Sequence, residues 1–250
     1  LTEEITFVPP APPKRHGIAN FRDIGGLRTE LLTAHGGTVG VNTRTVFRSA
    51  APLVQTRHEV QSLSAQIKTR IDLRTKIERD MMTVPPLPGV KTVVCDVLGP
   101  APASLIMYDD LPGQYRAFVE HAGCRRRLGE AVRTISRSKG PVLLHCTHGK
   151  DRSGWLTTVL YTMVGVARGT VEAEYLSSNY YLSIDPQHRT ACSLNLLGIA
   201  FHHVETNYKD MLDYVHRGCG VGMKDIAALR KNLIDTPQVV EQASRVKGRA

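Results

Sequence analysis

Cysteine is sparse and scattered in this chain: Cys95, Cys124, Cys146, Cys192 and Cys219 are odd in number and never spaced as Cys-x-x-Cys. That argues against a disulfide framework or a zinc site and for a reducing, cytoplasmic compartment. Long apolar runs are also missing. The strongest, around Leu156–Ala167 and Pro141–Leu144, fall short of the ~20 residues needed to cross a bilayer. No internal repeat occurs, and no linker interrupts the chain after Arg15. An aromatic-rich nucleic-acid motif is absent as well, so nucleic acid is not an expected partner. The first residue is Leu rather than Met, which leaves a removed leader and a secreted form open. The opening stretch, Leu1–Pro13, carries two glutamates and four prolines instead of a basic flank and an apolar run.

What is present suits one large domain. A chain of 250 residues, 42% hydrophobic and 22% charged, buries a full core without the signature of disorder. The domain is expected over residues 15–236, between an extended Pro-rich arm (1–14) and a loosely ordered tail (237–250). A net charge of +9 attracts polyanions in general, so anionic lipid and phosphorylated substrates both fit it.

Short runs rich in Val, Ile and Leu at Thr45–Ser49, Lys68–Leu73, Gly89–Val97 and Gly140–Cys146 predict strands. Val142, Leu143 and Leu144 stand together without alternation, as in a central strand covered on both faces. Helical stripes follow: Leu128, Ala131, Val132 and Ile135; then Leu156, Val159, Leu160, Met163 and Val164. A third runs through Val204, Tyr208, Met211, Leu212 and Val215, closed by Gly218 and Gly220, and a fourth through Ile226, Leu229 and Leu233. The expected fold is α/β, a central mostly parallel sheet flanked by helices with a C-terminal helical lobe.

The informative segment is His145-Cys-Thr-His-Gly-Lys-Asp-Arg-Ser-Gly154, between the predicted central strand and the Leu156 helix. A strand-to-helix junction gathers unpaired N–H groups at a helix N-terminus, a ready anion site. Gly149 lets the backbone curl so that successive amides, from Thr147 and His148 onward, surround a tetrahedral phosphate. The same amides and dipole favour a thiolate at Cys146, which makes it a nucleophile at neutral pH. Arg152 offers a planar fork for two phosphate oxygens. Ser153 is placed to donate to the sulfur, and His145 to fix the loop rather than act as a base. Lys150, a cation in the first turn of a helix, opposes the dipole unless an anion sits there. Asp151 reads two ways: a first-turn carboxylate or N-cap favoured by the dipole, or a general acid and base. Asp109 and Asp110, before a helix around Tyr115, compete for the acid role.

These ten residues resemble the active-site loop of cysteine-dependent tyrosine phosphatases. The Gly-Lys-Asp-Arg core resembles their tyrosine and phosphoinositide (triple-specificity) branch, typified by secreted mycobacterial enzymes. Asn20-Phe-Arg-Asp-Ile-Gly-Gly26, Phe47-Arg-Ser49, Ile71-Asp-Leu-Arg74 with Glu78-Arg79, and Ile226-Ala-Ala-Leu-Arg230 match that branch in order. The resemblance implies metal-independent, cofactor-free hydrolysis through a phosphocysteine, with Asp151 as the acid and Lys150 reading lipid phosphate. It also implies a protein phosphorylated on tyrosine, or also on serine and threonine, or a phosphoinositide, as substrate; an anionic membrane surface is left open as a partner by the net charge of +9. The Thr147-His148 pair and the short segment between Val97 and Tyr115 depart from the branch and leave substrate breadth and a large lid open. Arg22, Asp23, Asp72, Arg74 and Glu78 read chiefly as ion pairs that hold loops, and Arg125–Arg127 as the wet face of a helix. Three other functions use parts of the same pattern: a sulfur-transfer enzyme, a catalytically silent phospho-binding module and an RNA 5′-phosphatase.

Overall fold

The computed structural model describes residues 17–32, 38–53, 56–107 and 110–234. The arm and tail expected from the sequence lie outside them, as does Asp109. Seven strands occur: β1 (Arg22–Asp23), β2 (Arg28–Leu32), β3 (Thr38–Gly40), β4 (Val46–Ser49), β5 (Thr69–Asp72), β6 (Lys91–Val94) and β7 (Val142–His145). Helices α1 (Arg57–Gln66), α2 (Lys76–Met81), α3 (Ser104–Met107), α4 (Leu111–Glu120) and α5 (Ala122–Arg137) precede β7. After it come α6 (Arg152–Met163), α7 (Arg168–Tyr181), α8 (Leu194–Asn207), α9 (Met211–Asp213), a π-turn at Tyr214–Gly218, and α10 (Met223–Leu233).

The main sheet has the order β1-β4-β7-β5-β6, parallel except for the antiparallel edge strand β1. β2 and β3 form a separate hairpin. β7 lies at the centre because its side chains serve two cores. Leu143 joins Phe21, Phe47, Leu63, Ile67 and Leu87 on the α1 face, whereas Val142 and Leu144 enter the larger helical core on the other. A strand apolar on both faces loses surface to water only when both are covered, which is worth ~1.5–3 kcal/mol per fully buried side chain. The register aligns Ser49, His145 and Asp72 at the C-terminal ends of β4, β7 and β5. Loops from these ends build the crevice where a parallel sheet carries its ligands.

All four expected strands form, Gly89–Val97 only over Lys91–Val94, and three of the four stripes form as read; the third stripe does not. It divides into α8, which ends at an extended Tyr208, and a new start where the Asp210 side chain accepts from Asp213 N at 2.8 Å. Arg125 also departs from a wet face: it turns inward and donates to the carbonyls of Val119, Glu120 and Gly218, while Arg126 and Arg127 stay exposed.

Candidate active site

The loop from β7 to α6 is shaped by what grips its carbonyls. Ala51 N–H donates to Thr147 O (3.0 Å), Asn20 Nδ2 to His148 O (3.0 Å) and Arg48 NH2 to Gly149 O (2.6 Å). Each peptide is planar and trans, so drawing a carbonyl one way turns the next N–H the other way. Three successive amides, from His148 to Lys150, therefore face away from the scaffold. Gly149 N–H reaches Cys146 Sγ at 3.2 Å. Gly149 itself has φ +71°, and a Cβ there would fall 2.3 Å from the Ser49 carbonyl, so no other residue fits the curl.

Beneath the loop lies a buried cluster of two cations and one anion. Glu174 Oε1 accepts from Arg22 Nε (2.7 Å) and its Oε2 from Arg48 NH1 (2.8 Å); Arg22 also bonds Asn20 Oδ1. Burial opposes the Glu174 charge, but Arg22 and Arg48 outweigh it and hold its pKa below the usual range. The cluster thus anchors both the Asn20 segment and the Arg48 fork that shape the cradle. Removing one partner from such a buried pair costs about 3–5 kcal/mol.

Arg152 begins α6, nearly buried at 8% exposure, and its fork lies on Glu78: NH1 to Oε2 at 2.5 Å and NH2 to Oε1 at 2.6 Å. Glu78 also accepts from Thr147 Oγ1 (2.6 Å) and closes the capping box of α2 with Thr75 N and Oγ1 (both 2.9 Å). Burial works against its charge, but the Arg152 hydrogen bonds dominate and hold its pKa far below the ordinary carboxylate value. Among the ion-pair residues read from the sequence, Asp72 pairs locally with Arg74 at 2.7 Å, whereas Glu78 spans 74 positions to the site. Its signal was the capping box Thr75-x-x-Glu78, which predicts a helix start but not the second partner.

Lys150 does not point to solvent. It is 4% exposed, and its Nζ donates to Asp151 Oδ2 (2.7 Å) and Oδ1 (2.9 Å). Asp151 occupies the N-cap position of α6, yet its side chain makes no cap hydrogen bond; it also accepts from Tyr115 OH at 3.1 Å. Asp110 is the residue that caps, its carboxylate accepting from Gly113 N at 2.9 Å. Ser153 is fully buried and its hydroxyl has no hydrogen-bond partner among the described residues, so the expected bond to sulfur is not made. His148 stands exposed at the rim. Glu78, Thr147, His148, Lys150, Asp151 and Arg152 share the polar wall of a cavity of about 320 Å³, faced by Leu98, Ile106, Leu111 and Ile184.

His145 is 0% exposed, and its Nδ1 lies 3.2 Å from Cys146 O; that nitrogen is assigned the proton because only a donor fits there. Burial pushes its pKa down to about 4, outweighing Asp72, so the 3.8 Å contact with Asp72 Oδ2 is not an ion pair at neutral pH. The unfolded chain, with a histidine pKa of ~6.5, therefore binds more protons between the two values, and stability rises with pH there. This contribution is complete above pH ~6.5 and disappears toward pH 4, a loss of about 3 kcal/mol. Urea titrations across that window should show the slope in the wild type and a flatter one in His145→Gln. Equal slopes would mean that His145 is not held neutral by its burial.

A thiol that accepts the Gly149 amide, at the head of a helix and beside a buried arginine fork, marks a cysteine-centred candidate site for an anion. The tyrosine phosphatase family's profile matches residues 13–235, and the chain belongs to that family. A Cupriavidus necator protein named as a tyrosine-protein phosphatase is 29% identical over 184 residues, 65% of this chain and 61% of that protein. The triple specificity protein phosphatase PtpB of Mycobacterium tuberculosis is 38% identical over 66 residues, 26% of this chain and 24% of its own. The chain thus spans about three fifths of the first of these relatives and a quarter of the second. A P. aeruginosa TpbA structure in complex with pTyr overlaps 66% of this chain and 90% of its own, at 18% identity and a TM-score of 0.30.

Proposed function

We propose that this protein hydrolyses phosphotyrosine through a phosphocysteine on Cys146. The observation that carries the reading is the Gly149 N–H on Cys146 Sγ within a loop whose amides face the same way. The Cys146 thiolate attacks phosphorus, the bond from phosphorus to the tyrosyl oxygen breaks, and Asp151 gives that oxygen its proton. Water then attacks the phosphocysteine and gives a proton back to Asp151; the P–S bond breaks, the thiolate returns and inorganic phosphate leaves. Arg152 and the loop amides of Thr147, His148, Gly149, Lys150 and Ser153 hold the phosphoryl oxygens as their charge shifts. Lys150 and Arg152, two cations on the wall of the pocket, support phosphoinositides as a further substrate class.

Acid quenching during turnover of a peptide labelled on its phosphate, with chelator present, tests the covalent step. Label should remain on the wild-type protein and be absent from Cys146→Ser. A sulfur-transfer enzyme would show no labelled protein at all.

The acid assignment rests on Asp151 lining the pocket while Asp110 is spent on a helix cap. A phenolic oxygen leaves poorly unless protonated, whereas an activated aryl oxygen leaves with little help. Asp151→Asn should therefore slow phosphotyrosine peptide by ~10²-fold or more and an activated aryl phosphate by only a few fold. Asp110→Asn should instead change stability, by ~1 kcal/mol or less, and both substrates alike. The leaving-group-dependent loss in Asp110→Asn alone would move the acid to the loop before α4.

A further inference from the structure

Asp151 serves the proposed chemistry only if the correct one of its two oxygens carries the proton. Lys150 Nζ touches both oxygens, so it does not distinguish them. Tyr115 does: its hydroxyl meets Oδ1, at 3.1 Å. Behind it, Tyr175 OH lies 2.6 Å from Tyr115 OH, and Tyr115 spends its own hydrogen on Asp151. Both tyrosines are 0% exposed, so no water shares these hydroxyls. Their rings meet edge to face at 6.4 Å, which fixes the oxygens relative to one another.

We propose that Tyr175 and Tyr115 form a directional hydrogen-bond relay that positions Asp151, holding Oδ1 as an acceptor so that Oδ2 carries the transferable proton. A phenol has one hydrogen to give. If Tyr175 donates to Tyr115 oxygen, the single Tyr115 hydrogen has only Oδ1 to reach. That hydrogen bond persists whether Asp151 is protonated on Oδ2 or ionised, so the side chain keeps one orientation through both half-reactions. Burial above all, with Asp151 adding its charge, raises the pKa of both tyrosines well above the usual value, so each retains its hydrogen throughout the working range. Tyr115 on α4 and Tyr175 on α7 thereby act on the loop through Asp151 rather than through the substrate.

The proposal rests on the phosphocysteine reading with Asp151 as acid, and the test separates the two. Lys150, Arg152, His148, Tyr115, Tyr175 and Cys192 are the titratable and charged groups around Asp151, and only the two hydroxyls are changed. Tyr115→Phe keeps the ring and removes the donor. It should lower kcat on phosphotyrosine peptide by ~10-fold while leaving an activated aryl phosphate within ~3-fold. Losing a donor to a carboxylate disfavours its charged form, so the alkaline limb of the kcat/KM profile should move to higher pH. Tyr175→Phe, which frees the Tyr115 hydroxyl to rotate, should shift both readouts the same way by less. Equal slowing of both substrates with a lower Tm and an unmoved limb in both variants would make the tyrosines packing residues and overturn the relay. No change in either variant would overturn it equally. If Asp151→Asn shows the leaving-group-dependent loss while these variants do not, only the relay fails. If Asp151→Asn shows none, the acid assignment fails first.

Discussion

Replacing Cys146 by serine should lower turnover of phosphotyrosine peptide by at least ~10³-fold while the fold and phosphate binding persist. Cys146 is 2% exposed and its sulfur accepts a hydrogen bond from Gly149 N, and a serine oxygen is small enough to enter the same space. What it cannot supply is a low-cost anion as nucleophile and leaving group. The loop carbonyls remain tied to Ala51, Asn20 and Arg48, so the amides stay aimed at a phosphate. Steady-state kinetics, a thermal melt and the rise in Tm with added inorganic phosphate check the three parts together. Turnover within tenfold of the wild type would end the covalent mechanism. A collapsed Tm would show instead that the thiol holds the loop.

Arg152→Lys, which conserves charge, should cost at least ~2 kcal/mol of transition-state stabilisation, roughly 30-fold in kcat/KM. The arginine meets both Glu78 oxygens with parallel N–H groups, and its buried Nε has no partner among the described residues. One guanidinium can therefore stay braced on Glu78 while its remaining hydrogens meet phosphate. An ammonium has a single nitrogen and must choose. Glu78 in turn holds Thr147 and the start of α2, so its low pKa reflects a junction of loop and helix rather than a loose surface pair. Loss of this brace accompanies acid: a carboxylate with a lowered folded pKa stabilises above its unfolded value of ~4.3 and loses that contribution as pH falls below it. An unchanged kcat/KM in Arg152→Lys would reduce Arg152 to a structural partner of Glu78.

Much of this was legible from residue order because it is local. Val142–Leu144 announced a strand covered on both faces, and the Leu128 and Leu156 stripes marked α5 and α6. The cradle needed only ten consecutive residues, since a strand end, a glycine and a helix start lie next to one another along the chain. The third stripe misled for a related reason. Apolar residues at Val204, Tyr208 and Met211 keep helical spacing across a break, and periodicity alone does not register the restart that Asp210 makes by capping Asp213. Asp151 was ambiguous between cap and acid because both roles suit a carboxylate in a first turn. The missing cap hydrogen bond, together with the contacts to Lys150 and Tyr115, separates them only in space.

By itself, then, the sequence determined the sheet's central strand, the loop that follows it and the cysteine and arginine that the loop carries. Tertiary structure alone decided what braces them. Glu78 lies 74 positions from Arg152, Arg48 101 from Gly149, and Tyr115 60 from Tyr175. Amphipathic periods and caps act over a few residues and leave a pattern in the chain. A buried ion pair or hydroxyl relay between distant segments leaves none, because its partners meet only after the hydrophobic cores on the two faces of β7 have closed.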